Sequence, residues 1–214
     1  RVGIKYNNYF ASEIDKYAIQ ITQKNYPNTI QLGSVIDLKT NTLPQIDLLI
    51  GGSPCQSFSN AGKKEGFDGT SGLFFEYVRI LKEVKPKYFL LENVVMKKEW
   101  QDIISEALGV KPIQINSNLV SCQSRRRLYW TNIPNVIQPK DKNIKLKDIL
   151  LDHSNPILEI EVPTQARIEY IKRRASKGWV SNIFNNINTE KVQCITAVCY
   201  KTIKEYVYED EHGL

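Results

Sequence analysis

At 214 residues, 42% of them hydrophobic, the chain is long enough to bury a full core as one domain of ordinary size, or as one domain with a smaller appendage. No apolar run reaches the roughly eighteen residues of a membrane-spanning helix, and "RVGIKYNNYF" lacks the charged, apolar and small-residue order of a secretory signal, so no membrane association is expected and the protein reads as intracellular and cytoplasmic. The net charge of +6 is unevenly placed: residues 1–78 carry seven basic and seven acidic side chains, residues 79–130 ten and five, and residues 131–214 twelve and eleven. The excess lies around "SRRRLYW", with Arg125, Arg126 and Arg127, which is compatible with a polyanionic partner and also with a solvated surface.

From the N-terminus, "YFASEI" (9–14) reads as a short strand. "DKYAIQITQKNY" follows as a helix capped by Asp15, with Ala18, Ile19 and Ile21 to bury. "TIQLGSV" (29–35) is a second strand candidate, and "IDLLIGG" (46–52) is a continuous apolar run closed by two glycines, the pattern of a strand buried on both faces of a parallel sheet. A loop rich in Gly, Ser and Lys runs from Ser53 to Ser71.

"GLFFEYVRILKEV" then places apolar residues at 73, 74, 77, 78, 81 and 84, the spacing of a one-faced helix. "KYFLLEN" (87–93) is another buried strand. "EWQDIISEALG" repeats the helical pattern through Trp100, Ile103, Ile104, Ala107 and Leu108, with Gly109 as its stop. "PIQINS" and "RLYWTNI" are further strands. Strands alternating with helices predict an open α/β sheet with right-handed crossovers. Past Pro134 prolines and charges interrupt the pattern, although "ARIEYIKRRASKG" is a short basic helix candidate, so a boundary between a regular core and a less regular appendage is placed near residue 135.

Four cysteines, Cys55, Cys122, Cys194 and Cys199, occur in a chain that can fold without cross-links, so reduced thiols are expected. Cys194 and Cys199 have no second pair and no neighbouring histidine, so no metal site is expected. In an open α/β sheet, ligands bind beyond the carboxyl ends of the strands. Cys55 follows one such strand, Glu92 and Asn93 close another, and the arginines open "RLYW". Singly these read as an inert loop thiol, a solvated carboxylate and a charged surface. Together they raise the case for a cysteine nucleophile, which the pattern alone leaves undecided.

At these residues the sequence resembles the DNA cytosine carbon-5 methyltransferases. "GGSPCQSFSNAGKKEGFDGTSGLFFE" is similar to the family's Pro-Cys-Gln loop, "LLENV" to its Glu-Asn-Val motif and "QSRRRLYW" to its Gln-x-Arg-x-Arg motif, in the same order and at matching spacing. Upstream, "ASEIDKYA" resembles the acidic ribose-binding motif, and "QLGSV" falls where a Gly-Asp-Ile segment contacts adenine. The resemblance covers about residues 8–134 well and the rest loosely. It implies a Rossmann-like α/β methyltransferase fold, with a mostly parallel twisted sheet, helices on both faces, a catalytic part over 1–134 and part of a target recognition region over 135–214.

The resemblance implies that the Cys55 thiolate adds to carbon 6 of cytosine, making carbon 5 nucleophilic. Glu92, protonated or sharing a proton with ring nitrogen 3, relieves charge in the ring and accepts from the exocyclic amine. That would select cytosine over thymine. Arg125 and Arg127 would favour the thiolate and hold the base oxygen or the target phosphate, with Gln123 ahead of them, Arg126 facing out and Asn93 tying the catalytic loop. A duplex hides the reacting carbon, so the base must be flipped out. The loop glycines Gly62, Gly66, Gly69 and Gly72 suit closure on that base, and Lys63, Lys64, Gln56 and Ser59 are candidate DNA contacts.

The implied cofactor is S-adenosyl-L-methionine, with Glu13 on the ribose hydroxyls, Ile14 on the adenine, and Pro54 and Leu73 lining the pocket. Two departures stand out. Ser34 replaces the usual aspartate that reads the adenine amine, with Asp37 three residues on, and the glycine-rich Phe-x-Gly-x-Gly motif would fall ahead of residue 1. With an N-terminal Arg and no final family motifs, the chain reads as an internal piece of a longer enzyme, with weak or no cofactor binding by itself.

Past Pro134, "KVQCITAVCYKT" resembles a Thr-containing segment of the recognition region, making Thr196, Lys191 and Lys201 candidate DNA contacts, with Arg167, Lys172, Arg173, Arg174 and Lys177 as phosphate contacts. The implied partner is double-stranded DNA, with a cognate restriction endonuclease as a further candidate and a monomer as the acting form. The rival functions are cytosine methylation of transfer RNA, whose enzymes carry a Cys-Phe-Thr segment not found here, and a silent DNA- or partner-binding regulator that would not need the Cys, Glu and Arg set.

Overall fold

The computed structural model describes residues 3–54 and 73–149, together with residues 169, 173, 184–186, 190–193 and 206–208. These fall into two compact units, Arg1–Gln114 with Arg127–Val136, and Ile115–Arg126 with Ile137–Leu214. No helix among the described residues is long and apolar enough to cross a membrane.

The elements follow in chain order: β1 (Phe10–Ala11), α1 (Lys16–Asn25), β2 (Ile30–Gln31), β3 (Leu48–Gly52), α2 (Phe74–Val84), β4 (Tyr88–Val94), α3 (Lys98–Leu108), β5 (Ile113–Asn116), β6 (Gln123–Ser124), β7 (Arg126–Thr131), β8 (Phe184–Asn186), β9 (Val192–Gln193) and β10 (Tyr206–Tyr208). The main sheet has the order β3-β4-β7-β5. β3 pairs with β4 in parallel, Leu49 opposite Phe89 and Gly51 opposite Leu91, while β7 pairs with β4 antiparallel, Trp130 opposite Leu91 and Leu128 opposite Asn93. The sheet is therefore mixed. Asn132 anchors the far end of the antiparallel pair, accepting from Phe89 N at 2.8 Å and donating to Lys87 O at 3.0 Å.

Alternation along β4 sends Phe89, Leu91 and Asn93 to one face, and the ladders put Leu49, Gly51, Leu128 and Trp130 beside them. Against this face pack Phe74, Tyr77 and Val78 of α2 and Ile104 and Leu108 of α3, forming the core. Trp130, Phe74, Leu91 and Ile104 lose essentially all contact with water, each contributing about 1.5–3 kcal/mol by transfer out of it. The buried indole N–H of Trp130 donates to Ser105 Oγ at 3.0 Å, which removes the cost of an unpaired donor. α2 ends at Lys85, which turns left-handed at φ 47° just ahead of Pro86 and donates its N–H to Leu81 O at 3.1 Å; α3 stops at Gly109, φ 70°, as its sequence predicts.

Several expectations need correction. The run 46–52 is covered on one face only: Ile50, opposite the core, is 59% exposed. α1 has its predicted cap, with Asp15 Oδ1 accepting from Tyr17 N and Ala18 N at 2.9 and 2.8 Å, but it buries none of its residues; Ala18 and Ile21 are exposed and Ile19 half-buried. In the second helix pattern, Ile103 is exposed while Ile104 and Leu108 reach the core.

The strands at 9–14 and 29–35 shrink to two residues each, paired in parallel as a separate sheet. Local bonds account for this. Glu13 Oε1 accepts from Ile14 N at 2.7 Å and Asp15 N at 2.9 Å, turning the chain after Ala11, and Gly33 at φ 74° bends it after β2.

In the second unit, β6 pairs in parallel with β9, Gln123 opposite Val192, and β10 with β8.

Gly51 is where α2 meets the sheet most closely, since a Cβ there would lie 2.5 Å from Tyr77 Cδ2. Gly51→Ala is expected to cost about 1–3 kcal/mol, the usual range for overpacking, seen as a lower urea midpoint. Adding Tyr77→Leu should recover part of that loss, and strict additivity of the two changes would show that this contact does not set the cost.

Candidate active site

An antiparallel strand begins where its partner ends, so the N-terminal end of β7 lies beside the carboxyl end of β4. The register sets Arg127 opposite Val94 and Tyr129 opposite Glu92. Arg127 and Glu92 thus occupy the face away from the core, where Arg127 Nε lies 2.8 Å from Glu92 Oε1, with the side chains 19% and 36% exposed. Gly52 pairs with Glu92 across the parallel ladder, and a Cβ on it would come to 3.4 Å from Glu92 Oε2. The carboxylate therefore lies over a glycine on one side and is gripped by a guanidinium at one oxygen.

Asn93 points the other way and is 1% exposed. Its Nδ2 donates to Ser53 Oγ at 2.9 Å and lies 3.4 Å from Ser53 O, while its Oδ1 accepts from Val94 N at 2.8 Å. Ser53 is followed by half-buried Pro54 and then Cys55, so the amide of Asn93 fixes the chain two residues ahead of the thiol. That amide is engaged inside the protein. Cys55, Gln56, Ser59, Lys63 and Lys64 lie outside the described residues, as do Thr196, Cys194, Cys199, Lys201, Arg167, Lys172, Arg174 and Lys177. Arg173 is exposed. Cys122 is a buried free thiol, the setting of an inert cysteine.

The two motif arginines fall in different units. Arg127 holds Glu92, whereas Arg125 is exposed and its backbone is clasped within the second unit, N donating to Asn116 Oδ1 at 2.8 Å and O accepting from Ser117 N at 3.2 Å. Arg126 is exposed. Gln123 is tied through its backbone: O accepts from Ser117 Oγ at 2.5 Å and N donates to Ser121 Oγ at 3.2 Å.

Of the residues matched to the cofactor, Glu13 is exposed and Ile14 beside it is 78% exposed, an apolar surface next to a carboxylate. Ser34 is half-buried, with Oγ accepting from Ile36 N at 3.2 Å. Asp37 is exposed and donates its N–H to Ser34 O at 3.3 Å. Leu73 is half-buried ahead of α2.

Two residues gain roles that sequence reasoning missed or misplaced. Arg79 of α2 reaches Val35 O at 3.1 Å and Leu38 O at 3.4 Å, beside ion pairs to Glu76 and Glu83, and so straps down the segment after Ser34. The Glu spacings at i−3 and i+4 signal the ion pairs, but nothing local signals the two carbonyls. Lys191, expected on DNA, directs its ammonium inward to Asn118 O at 2.6 Å, Ile144 O at 2.9 Å and Ser121 O at 3.2 Å.

Truncating Asn93 to Ala is expected to lower stability by about 1–3 kcal/mol through unpaired buried groups. Ser53→Ala should cost less. In a denaturation-based double-mutant cycle the two changes should be non-additive, and independent effects would rule out the Asn93–Ser53 bond as the link.

Residues 2–209 match the family model of the C-5 cytosine-specific DNA methylases. Among curated proteins, the chain is 48% identical over 205 residues to the type II methyltransferase M.NlaIV of Neisseria lactamica, covering 85% of this chain and 46% of that protein. It is 30% identical over 233 residues to the type II methyltransferase M1.ScrFI of Lactococcus lactis subsp. cremoris (97% and 59%), and 35% identical over 178 residues to the orphan methyltransferase M.SPRI of Bacillus phage SPR (75% and 40%). The chain thus spans 40–59% of these relatives' length. A solved structure of a protein proposed to be a DNA modification methyltransferase, encoded within an E. coli prophage, shares the fold at a TM-score of 0.53 and 23% identity, covering 66% of this chain and 47% of that one. The chain belongs to the C-5 cytosine-specific DNA methylase family.

Proposed function

We propose that this chain is the catalytic part, with a portion of the target recognition region, of an enzyme that methylates carbon 5 of a flipped-out cytosine in double-stranded DNA. The catalytic part is assigned to residues 1–134 and the recognition portion to 135–214. The observation that carries the reading is the Glu92–Arg127 pair at 2.8 Å, at the sheet edge that delivers Ser53 and Pro54 to Cys55. A carboxyl group that must face a pyrimidine needs one oxygen held and one offered, and the grip of Arg127 on Oε1 supplies the hold.

In this mechanism the Cys55 thiolate forms a bond to carbon 6 of the base, and the ring electrons move toward carbon 5. Glu92 shares a proton with ring nitrogen 3 as charge builds there and accepts from the exocyclic amine. Arg127 keeps that carboxyl in place, and Arg125 is assigned to the base oxygen or target phosphate. Asn93 positions the loop through Ser53. Loss of the proton from carbon 5 and cleavage of the sulfur–carbon bond return the thiolate.

S-adenosyl-L-methionine, when bound, supplies the methyl group that carbon 5 accepts. The residues present suit its nucleoside: a carboxylate at Glu13 for the ribose hydroxyls, an exposed apolar side chain at Ile14 for the adenine face, and a hydroxyl at Ser34 for the adenine edge, with Pro54 and Leu73 as lining. Lys63, Lys64, Gln56, Ser59, Gln123 and Thr196 are assigned to DNA. The protein is taken to act as a cytoplasmic monomer of a bacterial or phage-infected cell, with a restriction endonuclease of matching specificity as its candidate partner.

The test uses the full-length protein, labelled S-adenosyl-L-methionine, duplex DNA and transfer RNA. The parent should label DNA at cytosine and leave transfer RNA unlabelled. Cys55→Ala should abolish both labelling and the covalent adduct with 5-fluorocytosine DNA, and Glu92→Gln should slow transfer by about 10²-fold or more. Labelling of neither nucleic acid by the parent, or unimpaired labelling by Cys55→Ala, would overturn the reading.

A further inference from the structure

We propose that Lys191 is a positioning residue for the methyl transfer, an internal cation that pins the recognition region to the turn supporting the arginine motif. This rests on the function proposed above.

An ammonium carries three donors, and three backbone carbonyls, from Asn118, Ser121 and Ile144, lie at 2.6, 3.2 and 2.9 Å from Lys191 Nζ. Asp141 adds a carboxylate at 3.8 Å, and the side chain is 24% exposed. Backbone carbonyls bear partial negative charge, and their convergence on one cation holds together chain segments that are 47 to 73 residues apart in sequence. An ammonium committed in this way is not presented to a phosphate.

The bonds lead onward from these carbonyls to the motif. The turn at Ser117–Leu119 and Ser121 also carries Ser117 Oγ, which donates to Gln123 O, Ser121 Oγ, which accepts from Gln123 N, and Ser117 N, which donates to Arg125 O. Each ties down the backbone of the Gln-x-Arg stretch. Immediately after Lys191, β9 lies in parallel register on β6, Gln193 opposite Ser124. Glu190, immediately before it, pairs with Lys145 at 2.6 Å, and Lys142 N donates to Leu119 O at 2.7 Å. The pin and the ladder together fasten the residues leading into "CIT", at 194–196, to the strand that carries the motif. Removal of the ammonium would leave the turn and the motif backbone it carries with weaker ties to the residues around Lys191, among them the ladder of two residues per strand, the Lys145–Glu190 pair and the Lys142–Leu119 bond.

The full-length protein with Lys191→Met, which keeps the length and removes the charge, tests this. At saturating duplex, the rate of adduct formation with 5-fluorocytosine DNA should fall at least tenfold, with kcat reduced and KM for DNA held. Lys191→Arg should recover part of the rate. The salt slope of DNA affinity should be unchanged. A slope smaller by about 0.9, the amount expected when one phosphate is no longer neutralised, with an unaltered adduct rate, would make Lys191 a DNA-binding residue and overturn the proposal.

Amide hydrogen exchange gives a readout independent of methylation: Ser117, Val120, Gln123 and Arg125 should exchange at least tenfold faster in Lys191→Met. Parental protection at these amides would also overturn the pin. A parent that labels no DNA yet shows the faster exchange in the variant would sink the function reading and leave the pin standing. Should Lys191→Met fail to fold, Lys191→Gln, which retains an N–H donor, is judged by the same criteria.

Discussion

The antiparallel pairing of β7 with β4 is the constraint on which the first unit depends. One ladder performs two tasks because its side chains alternate: Leu128 and Trp130 face the core beside Asn93 and Leu91, while Arg127 and Tyr129 face the other way beside Glu92. A shift of one residue would exchange the two sets, exposing the indole and burying the guanidinium. The energy of core packing thus fixes the geometry of the ion pair, and the Asn132 bonds to Phe89 N and Lys87 O hold the register from the opposite end.

The same β4 strand gives adjacent residues separate functions. Glu92 stands half-buried above the outer face, and Asn93 is shut into the inner one, where its amide restrains Ser53. In the proposed mechanism this loop carries the reactive thiol and benefits from a rigid approach, because small displacements of a nucleophile are costly in rate. The Ser53–Asn93 bond supplies that rigidity on the strand side, and Arg79 does similar work for the segment following Ser34, where two carbonyls and two carboxylates surround one guanidinium.

Much of the first unit is legible in the sequence because its signals are local. The apolar spacing in "FFEYVRILKEV", the cap at Asp15, the stop at Gly109 and the apolar run of β4 depend on near neighbours, and the structure follows them. Pair direction leaves no such trace: "RLYWTNI" reads alike for a parallel or antiparallel strand, so the sequence does not say which end of β7 meets Glu92. β1 and β2 are shorter than their apolar patterns suggest because Glu13 and Gly33 end them through individual bonds and a backbone angle. Among the site residues, Glu92 and Arg127 are identifiable through the motif resemblance. The inward turn of Lys191 is hidden, because its three acceptors are backbone atoms far away in the chain and a lysine before a strand looks like surface.

The paired glycines at the end of β3 are not equivalent. A Cβ at Gly51 would lie 2.5 Å from the Tyr77 ring on the core side, whereas one at Gly52 would meet Glu92 at an ordinary contact distance, 3.4 Å from Oε2, on the outer side. Folding therefore holds residue 51 to glycine as long as a tyrosine stands at 77, while residue 52 has room for a Cβ. Sequence drift among related chains should accordingly reach 52 well before 51, and a larger residue at 51 should arrive together with a smaller one at 77.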